Sequence, residues 1–392
     1  MKVIFAHDHK FAYCDGLYYS NGSFPSTIWP RYTSVFQNLT VVGRDGGELD
    51  TEEKGLTLSS ENNVSFRLLP NTSNLKSFVF GNRQVEDVCS ELVAEHDALI
   101  ARLPSRLGSM FVKEAKKQGK PYAVEVVGCP WDALWNYGSL KGKLYAPYAA
   151  LEMKSTLRKS RYSIYVTKCF LQSRYPSSKG VSVGCSDVVI SNVEYKVLEK
   201  RLEKIYNKKV DEPVVFGLIA NYSSRYKGID IAIKALKRLN LPGWQLRVLG
   251  NGDATYYANF ATELGVVDQV DFVGSLPSGA PVFDWVDSID IYLHPSFQEG
   301  LPRALVEAMS RGAPALASEI AGIPELLNES ELIKAGDCSA LASKIIRLIN
   351  DKSLQATLAK QNFEKAKNYY KEELDKRRSA FWRQFLQHVK IK

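Results

Sequence analysis

The sequence predicts an α/β protein built from two doubly wound, parallel-sheet domains facing a cleft. Three observations lead there. At 392 residues the chain exceeds one ordinary hydrophobic core and suits two domains. Short β-branched and apolar runs alternate with helix-period segments, the pattern of parallel sheets covered on both faces. That alternation also runs twice, restarting with the apolar stretch 214–220 after the polar stretch 207–213. The expected boundaries are 1–195 for the first domain, 196–370 for the second, and 371–392 for a final helix.

In the first series, strands are expected at 3–6, 39–42, 64–68, 98–102, 122–127 and 188–190. The first should stop where His7-Asp8-His9-Lys10 interrupts the apolar run. Helices at 85–95, 109–118 and 145–158 separate the later strands. The segment 13–31, rich in Tyr, Gly, Ser and Pro, reads as a long loop after the first strand. Such loops at the carboxyl ends of parallel strands bind ligands. The second series gives a helix at 230–239, a strand at 245–249, a helix at 254–264, then strands at 270–273 and 289–294. A short strand at 315–317 and helices from Ser339 to about Lys367 complete it. The last amphipathic stretch, 372–389, carries Phe381, Trp382, Phe385 and Leu386.

The segment 296–327, SFQEGLPRALVEAMSRGAPALASEIAGIPELL, is the most informative in the chain. Pro302 suits the first position of a helix starting at about Leu301, where its missing N–H would be unpaired anyway. The free amides of that first turn and the positive end of the helix dipole make an anion site. Glu299 lies just outside the turn and Glu307 about two turns further in. Carboxylates beside a phosphate site repel phosphate, so they are better suited to sugar hydroxyls. A phosphate cradle flanked by hydroxyl-binding acids is what a nucleotide-sugar requires.

These residues resemble the E-x7-E signature of retaining glycosyltransferases of family 4, which have the GT-B fold of two Rossmann-like domains. Glu299 and Glu307 match the two acids, and Gly300, Leu301 and Pro302 the donor-binding turn. The resemblance implies a nucleotide-sugar donor (UDP- or GDP-linked), held by the second domain. It implies a glycan or lipid-linked acceptor presented by the first, and a last helix that crosses back to the first domain. Bacterial members build capsule or O-antigen polysaccharide. The resemblance also implies same-face attack in which the leaving phosphate takes the proton, with no cofactor and no metal.

Other candidates follow from position. Arg225 and Lys227, in the sequence Asn221-Tyr-Ser-Ser-Arg-Tyr-Lys-Gly228, precede a helix after the first strand of the second domain, where cations neutralise a diphosphate. They resemble the family's Arg/Lys pair, although Ile219-Ala220-Asn221 stands where Gly-Arg is usual. Gly250 and Gly252 form a Gly-x-Gly fragment that lets backbone approach a nucleotide, and the resemblance places Phe272 and Val273 beside the base. The catalytic set expected is Glu299, Lys227 and Arg225, with Glu299 on the sugar and Glu307 on the ribose. On the acceptor side, His7, Asp8, Glu125 and Asp132 lie at first-domain strand ends. Glu125 and Asp132 read more readily as an inward strand acid and a capping Asp. Relatives carry a His near Gly128 or Cys129 that this chain lacks. His7 and His9 point to one side of a strand, yet no further ligand pattern completes a metal site.

Composition, at 45% hydrophobic and 24% charged, is that of a soluble globular chain. Six scattered Cys suggest neither disulfides nor zinc. With no signal-peptide core and no apolar run of membrane-spanning length, the reducing cytoplasm is the expected compartment. A net charge of +8 fits attraction to an anionic inner leaflet, with Lys141, Lys143, Lys154, Arg158, Lys159 and Arg161 as the local cluster. A solvated helix face explains the same residues. No nucleic-acid motif accompanies the charge. Two rival functions stay open: a catalytically silent nucleotide-sugar binder in an assembly complex, and a sugar-nucleotide epimerase.

Overall fold

The computed structural model describes residues 1–21, 24–49, 56–70, 83–136, 139–177, 180–239, 241 and 243–391. It divides into two compact units, Met1–Cys185 with Asp375–Lys392, and Ser186–Leu374.

The first unit is built on β1 (Lys2–Cys14), β2 (Leu17–Ser20), β3 (Asn38–Glu48), β4 (Thr57–Leu58), β5 (Val64–Leu69), β6 (Ala98–Leu103), β7 (Tyr122–Val126), β8 (Tyr162–Tyr165) and β9 (Val181–Gly184). Seven strands run parallel in the order β5-β3-β1-β6-β7-β8-β9. Because β1 is central and the chain moves first one way and then the other, the sheet is doubly wound. Helices α1 (Pro30–Thr33), α2 (Arg83–Glu95), α3 (Arg106–Lys117), α4 (Pro130–Asn136), α5 (Leu140–Arg158) and α6 (Phe170–Arg174) connect these strands.

Two expectations need correction here. The first strand does not stop at Ala6 but continues to Cys14, so 13–31 is not one long loop. Past Ala6 the pairing with β3 shifts register and resumes as far as Tyr13 opposite Glu48. Asp15 and Gly16 then turn the chain back into β2, both at positive φ (48° and 80°). An Asp-Gly pair between strands is the standard two-residue hairpin turn. The second correction concerns 188–190, which is no strand; Ile190 makes an isolated bridge to Tyr370. The sheet positions go instead to β8 and β9.

In the second unit, β10 (Val214–Ile219), β11 (Trp244–Leu249), β12 (Val270–Gly274), β13 (Ile291–His294), β14 (Ala315–Ser318) and β15 (Leu332–Ile333) form a parallel sheet in the order β12-β11-β10-β13-β14-β15. It is flanked by α7 (Tyr195–Asn207), α8 (Ile229–Lys237), α9 (Thr255–Glu263), α10 (Ala280–Ser288), α11 (Arg303–Ser310), α12 (Cys338–Ile349) and α13 (Lys352–Ala366). Helix α10 escaped the sequence reading. It buries Val282, Trp285 and Val286, one helical face at i, i+3 and i+4.

The last helix, α14 (Lys371–Ile391), passes from the second unit into the first. Its first-unit portion buries Phe381, Trp382 and Phe385. The Trp382 ring lies 5.6 Å from Tyr32 and 6.1 Å from Phe36, and Phe385 lies 5.3 Å from Tyr162. Burying three aromatic side chains ties this segment firmly to the first unit's core.

Candidate active site

In a doubly wound sheet, neighbouring strands whose connections leave in opposite directions open a crevice at their carboxyl ends. In the second unit those strands are β10 and β13. The loop after β10 carries Arg225 to Gly228, and the loop after β13 carries Pro295 to Pro302. Backbone contacts join the two loops. Gly228 has φ 70°, and a Cβ added there would fall 2.0 Å from the Pro295 carbonyl oxygen. The Phe297 amide donates to the Tyr226 carbonyl at 2.7 Å. Only glycine permits that approach.

This stitching brings the charged groups together. Lys227 Nζ donates to Glu299 Oε1 at 2.7 Å. His294, at the end of β13 and almost wholly buried, places Nε2 2.8 Å from the same oxygen. Burial alone would push the Glu299 carboxyl up. The hydrogen bond and charge of His294, followed by Lys227, outweigh it and hold the group at about 2. Glu299 is therefore ionised at neutral pH, and since a carboxylate only accepts, Nε2 of His294 carries the donated proton.

Pro302 stands one residue outside the helix, a correction to the expected start near Leu301. Its ψ of 115° is extended, and its carbonyl accepts from Val306 at 3.3 Å, as a cap residue's does. Helix α11 therefore begins at Arg303. No side chain caps its first turn, which leaves amide donors for a ligand. The helix buries Leu305, Val306, Ala308 and Met309 against the unit and turns Arg303, Ala304 and Glu307 toward a cleft of about 390 Å³. Lys227, His294, Glu299 and Pro302 line the same cleft. Burial raises the Glu307 carboxyl, against a weaker opposing effect from Arg303, whose guanidinium lies 4.0 Å away.

The remaining donor-side candidates divide. Gly250 lines the cleft, but its lack of a side chain answers to the protein itself: a Cβ would meet the Ala220 carbonyl oxygen at 1.7 Å. Gly252, with φ 104°, is pressed against Ser223. Phe272 packs edge-on against Tyr222, and neither it nor Val273 lines the cleft. That wall is made by Ser275, Leu276 and Ser278, between Gly274 (φ 83°) and Gly279 (φ 97°), two glycines with open space where a Cβ would be. Gly300 accepts from the Gly322 amide at 2.9 Å, and neither it nor Leu301 lines the cleft. Arg225 is exposed and sits 3.7 Å above the Tyr256 ring, outside the lining. His294 and Arg303 were missed by the sequence reading. The available signal for His294 was a polar residue ending a fully apolar strand.

In the first unit, Glu125 is buried, accepting from Tyr32 at 3.0 Å and pairing with Arg102 at 2.6 Å. Asp132 pairs with Arg174 at 2.9 Å. Burial first, then the Arg102 charge, lowers His7 to about 4, and its Nδ1 lies 3.2 Å from the Arg102 carbonyl. Asp8 pairs with Arg44 at 2.9 Å and accepts from Ser105 and from the Arg106 amide at the start of α3. Of the four, Asp8 alone lines a second cleft, of about 250 Å³, walled by α3, α4 and α5.

A family model described as "Glycosyl transferases group 1" matches residues 199–365. Over 370 residues the chain is 30% identical to Protein CapJ of Staphylococcus aureus, covering 92% of this chain and 89% of that one. It is also 30% identical over 188 residues to AmsK, an amylovoran biosynthesis glycosyltransferase of Erwinia amylovora, covering 45% and 46% respectively. The structure of Anabaena HepE in complex with UDP and glucose superposes with a TM-score of 0.63 at 17% identity, over 100% of this chain and 99% of that one. The fold is thus of the GT-B class expected from the sequence.

Proposed function

Because the chain belongs to the group 1 glycosyl transferases, we propose that it moves a hexosyl unit, with retention of anomeric configuration, from a UDP- or GDP-linked sugar to a hydroxyl of a glycan or lipid-linked acceptor. The role of AmsK in amylovoran biosynthesis supports a product of the capsule, O-antigen or exopolysaccharide kind. HepE holds UDP and glucose, which supports a nucleotide-sugar donor.

The observation that carries this reading is the convergence of Lys227 and His294 on Glu299 beside the uncapped start of α11. The diphosphate sits against the α11 amides, with Lys227 neutralising the charge that grows as the nucleotide departs. Glu299, oriented through Oε1, offers Oε2 to sugar hydroxyls, and Glu307 takes the ribose. Arg225, held over Tyr256, joins the set only by leaving that ring. Positive charge comes from Lys227, Arg303 and backbone amides, so the scheme needs no metal. The leaving phosphate accepts the proton of the incoming hydroxyl on the face it vacates.

Nucleotide release from a panel of UDP- and GDP-sugars, with and without glycan acceptors, tests the reading. Acceptor-dependent release with an α-donor giving an α-product supports it. Tight donor binding without turnover points to the silent binder, and an isomerised donor to an epimerase.

A further inference from the structure

The geometry points to α5 as an interfacial helix that docks the first unit on an anionic lipid bilayer. Its inner face is ordinary core: Ala146, Ala150, Met153 and Leu157 are buried. Its outer face is apolar as well. Leu140, Leu144, Tyr148 and Leu151 are 79%, 81%, 55% and 66% exposed, among the largest exposures of hydrophobic side chains in the described residues. At about 100° per residue, these four and exposed Pro147 fall within an arc of about 100°, a continuous stripe rather than scattered positions. Lone exposed leucines need no explanation, but a contiguous patch marks a partner.

The flanks say which partner. Lys143 and Lys154 border the stripe on one side and Lys141 on the other, all exposed, and Arg158 extends it. Lysines bordering an apolar stripe match a bilayer, whose headgroups are anionic and whose acyl region lies just beneath. Trp135, 44% exposed, stacks on Trp131 at 5.3 Å, and Lys143 Nζ lies 5.7 Å from the Trp135 ring. An amphipathic indole at that edge suits the headgroup level. No helix of the described residues is long and apolar enough to cross a membrane. The surface is independent of the transfer reading and stands if that reading fails.

Flotation with vesicles of phosphatidylcholine mixed with anionic phosphatidylglycerol tests this on the whole chain. The protein should float with these vesicles, and much less with phosphatidylcholine alone or at high salt. Leu144→Asp with Leu151→Asp should lower partitioning at least ~tenfold while thermal unfolding is unchanged, since both positions face outward. Lys141→Glu with Lys143→Glu and Lys154→Glu should abolish the preference for anionic lipid. Undiminished flotation of the Leu144/Leu151 variant overturns the proposal. So does a wild-type dimer in sedimentation velocity that the same variant converts to monomer without loss of vesicle binding, because the stripe would then be covered by a second copy.

Discussion

The ammonium of Lys227 lies 2.7 Å from Oε1 of Glu299, and the two residues come from loops that close different strands of the second sheet. The ion pair is largely buried, so removing one partner leaves the other uncompensated.

Lys227→Ala should therefore cost more than ~2 kcal/mol of transition-state stabilisation, about thirtyfold in kcat/KM, and Glu299→Ala the same or more. Steady-state nucleotide release measures both. Near-normal turnover in the two variants removes them from the site.

Acid stability should report on Glu299. Its carboxyl is held at about 2, below the ordinary 4.5, so the stability this provides is complete above pH 4.5 and is lost as pH falls toward 2. His294→Phe removes the leading stabiliser of the anion and should shift the loss to higher pH, whereas Glu299→Gln should flatten the dependence. Urea unfolding between pH 2 and 6 separates these outcomes.

Gly228→Ala combines a positive φ with a backbone clash at Pro295. It should lower stability by about 1–3 kcal/mol and weaken nucleotide binding, because the loops bearing Lys227 and Glu299 would part. Differential scanning calorimetry and UDP or GDP titration check the two effects.

Arg303 and Arg225 should contrast. Arg303 lines the cleft and Arg225 stacks on Tyr256. Arg303→Ala is expected to raise the donor KM about fivefold to tenfold, the scale of one exposed charge contact to phosphate, and Arg225→Ala to leave it within about twofold. Equal losses would show that Arg225 leaves its ring to reach the donor.

Two parallel sheets, most strand positions and the 299–307 segment were legible in the sequence because apolar runs and helix starts are local signals. β1 was cut short because His7-Asp8-His9-Lys10 looks like a loop, while its pairing with β3 is set by residues some 35 positions away. The Asp15-Gly16 turn was readable and was overlooked. His294 could not be assigned from its neighbours: its role depends on Glu299 folding back across the end of β13. Gly250 lines the cleft, and the Ala220 carbonyl behind it supplies a further need for glycine that its neighbours in sequence do not reveal.

The wall formed by Ser275, Leu276 and Ser278 differs from the rest of the cleft in how it is held. Gly274 and Gly279 close its two ends without pressing on anything, whereas Gly228 and Gly250 are wedged against carbonyls. Both glycines nonetheless sit at positive φ, so the ends of this segment are fixed by backbone conformation rather than by space. Replacing only the side chains of Ser275, Leu276 and Ser278 should therefore change what the cleft accommodates while Lys227, His294 and Glu299 stay in place.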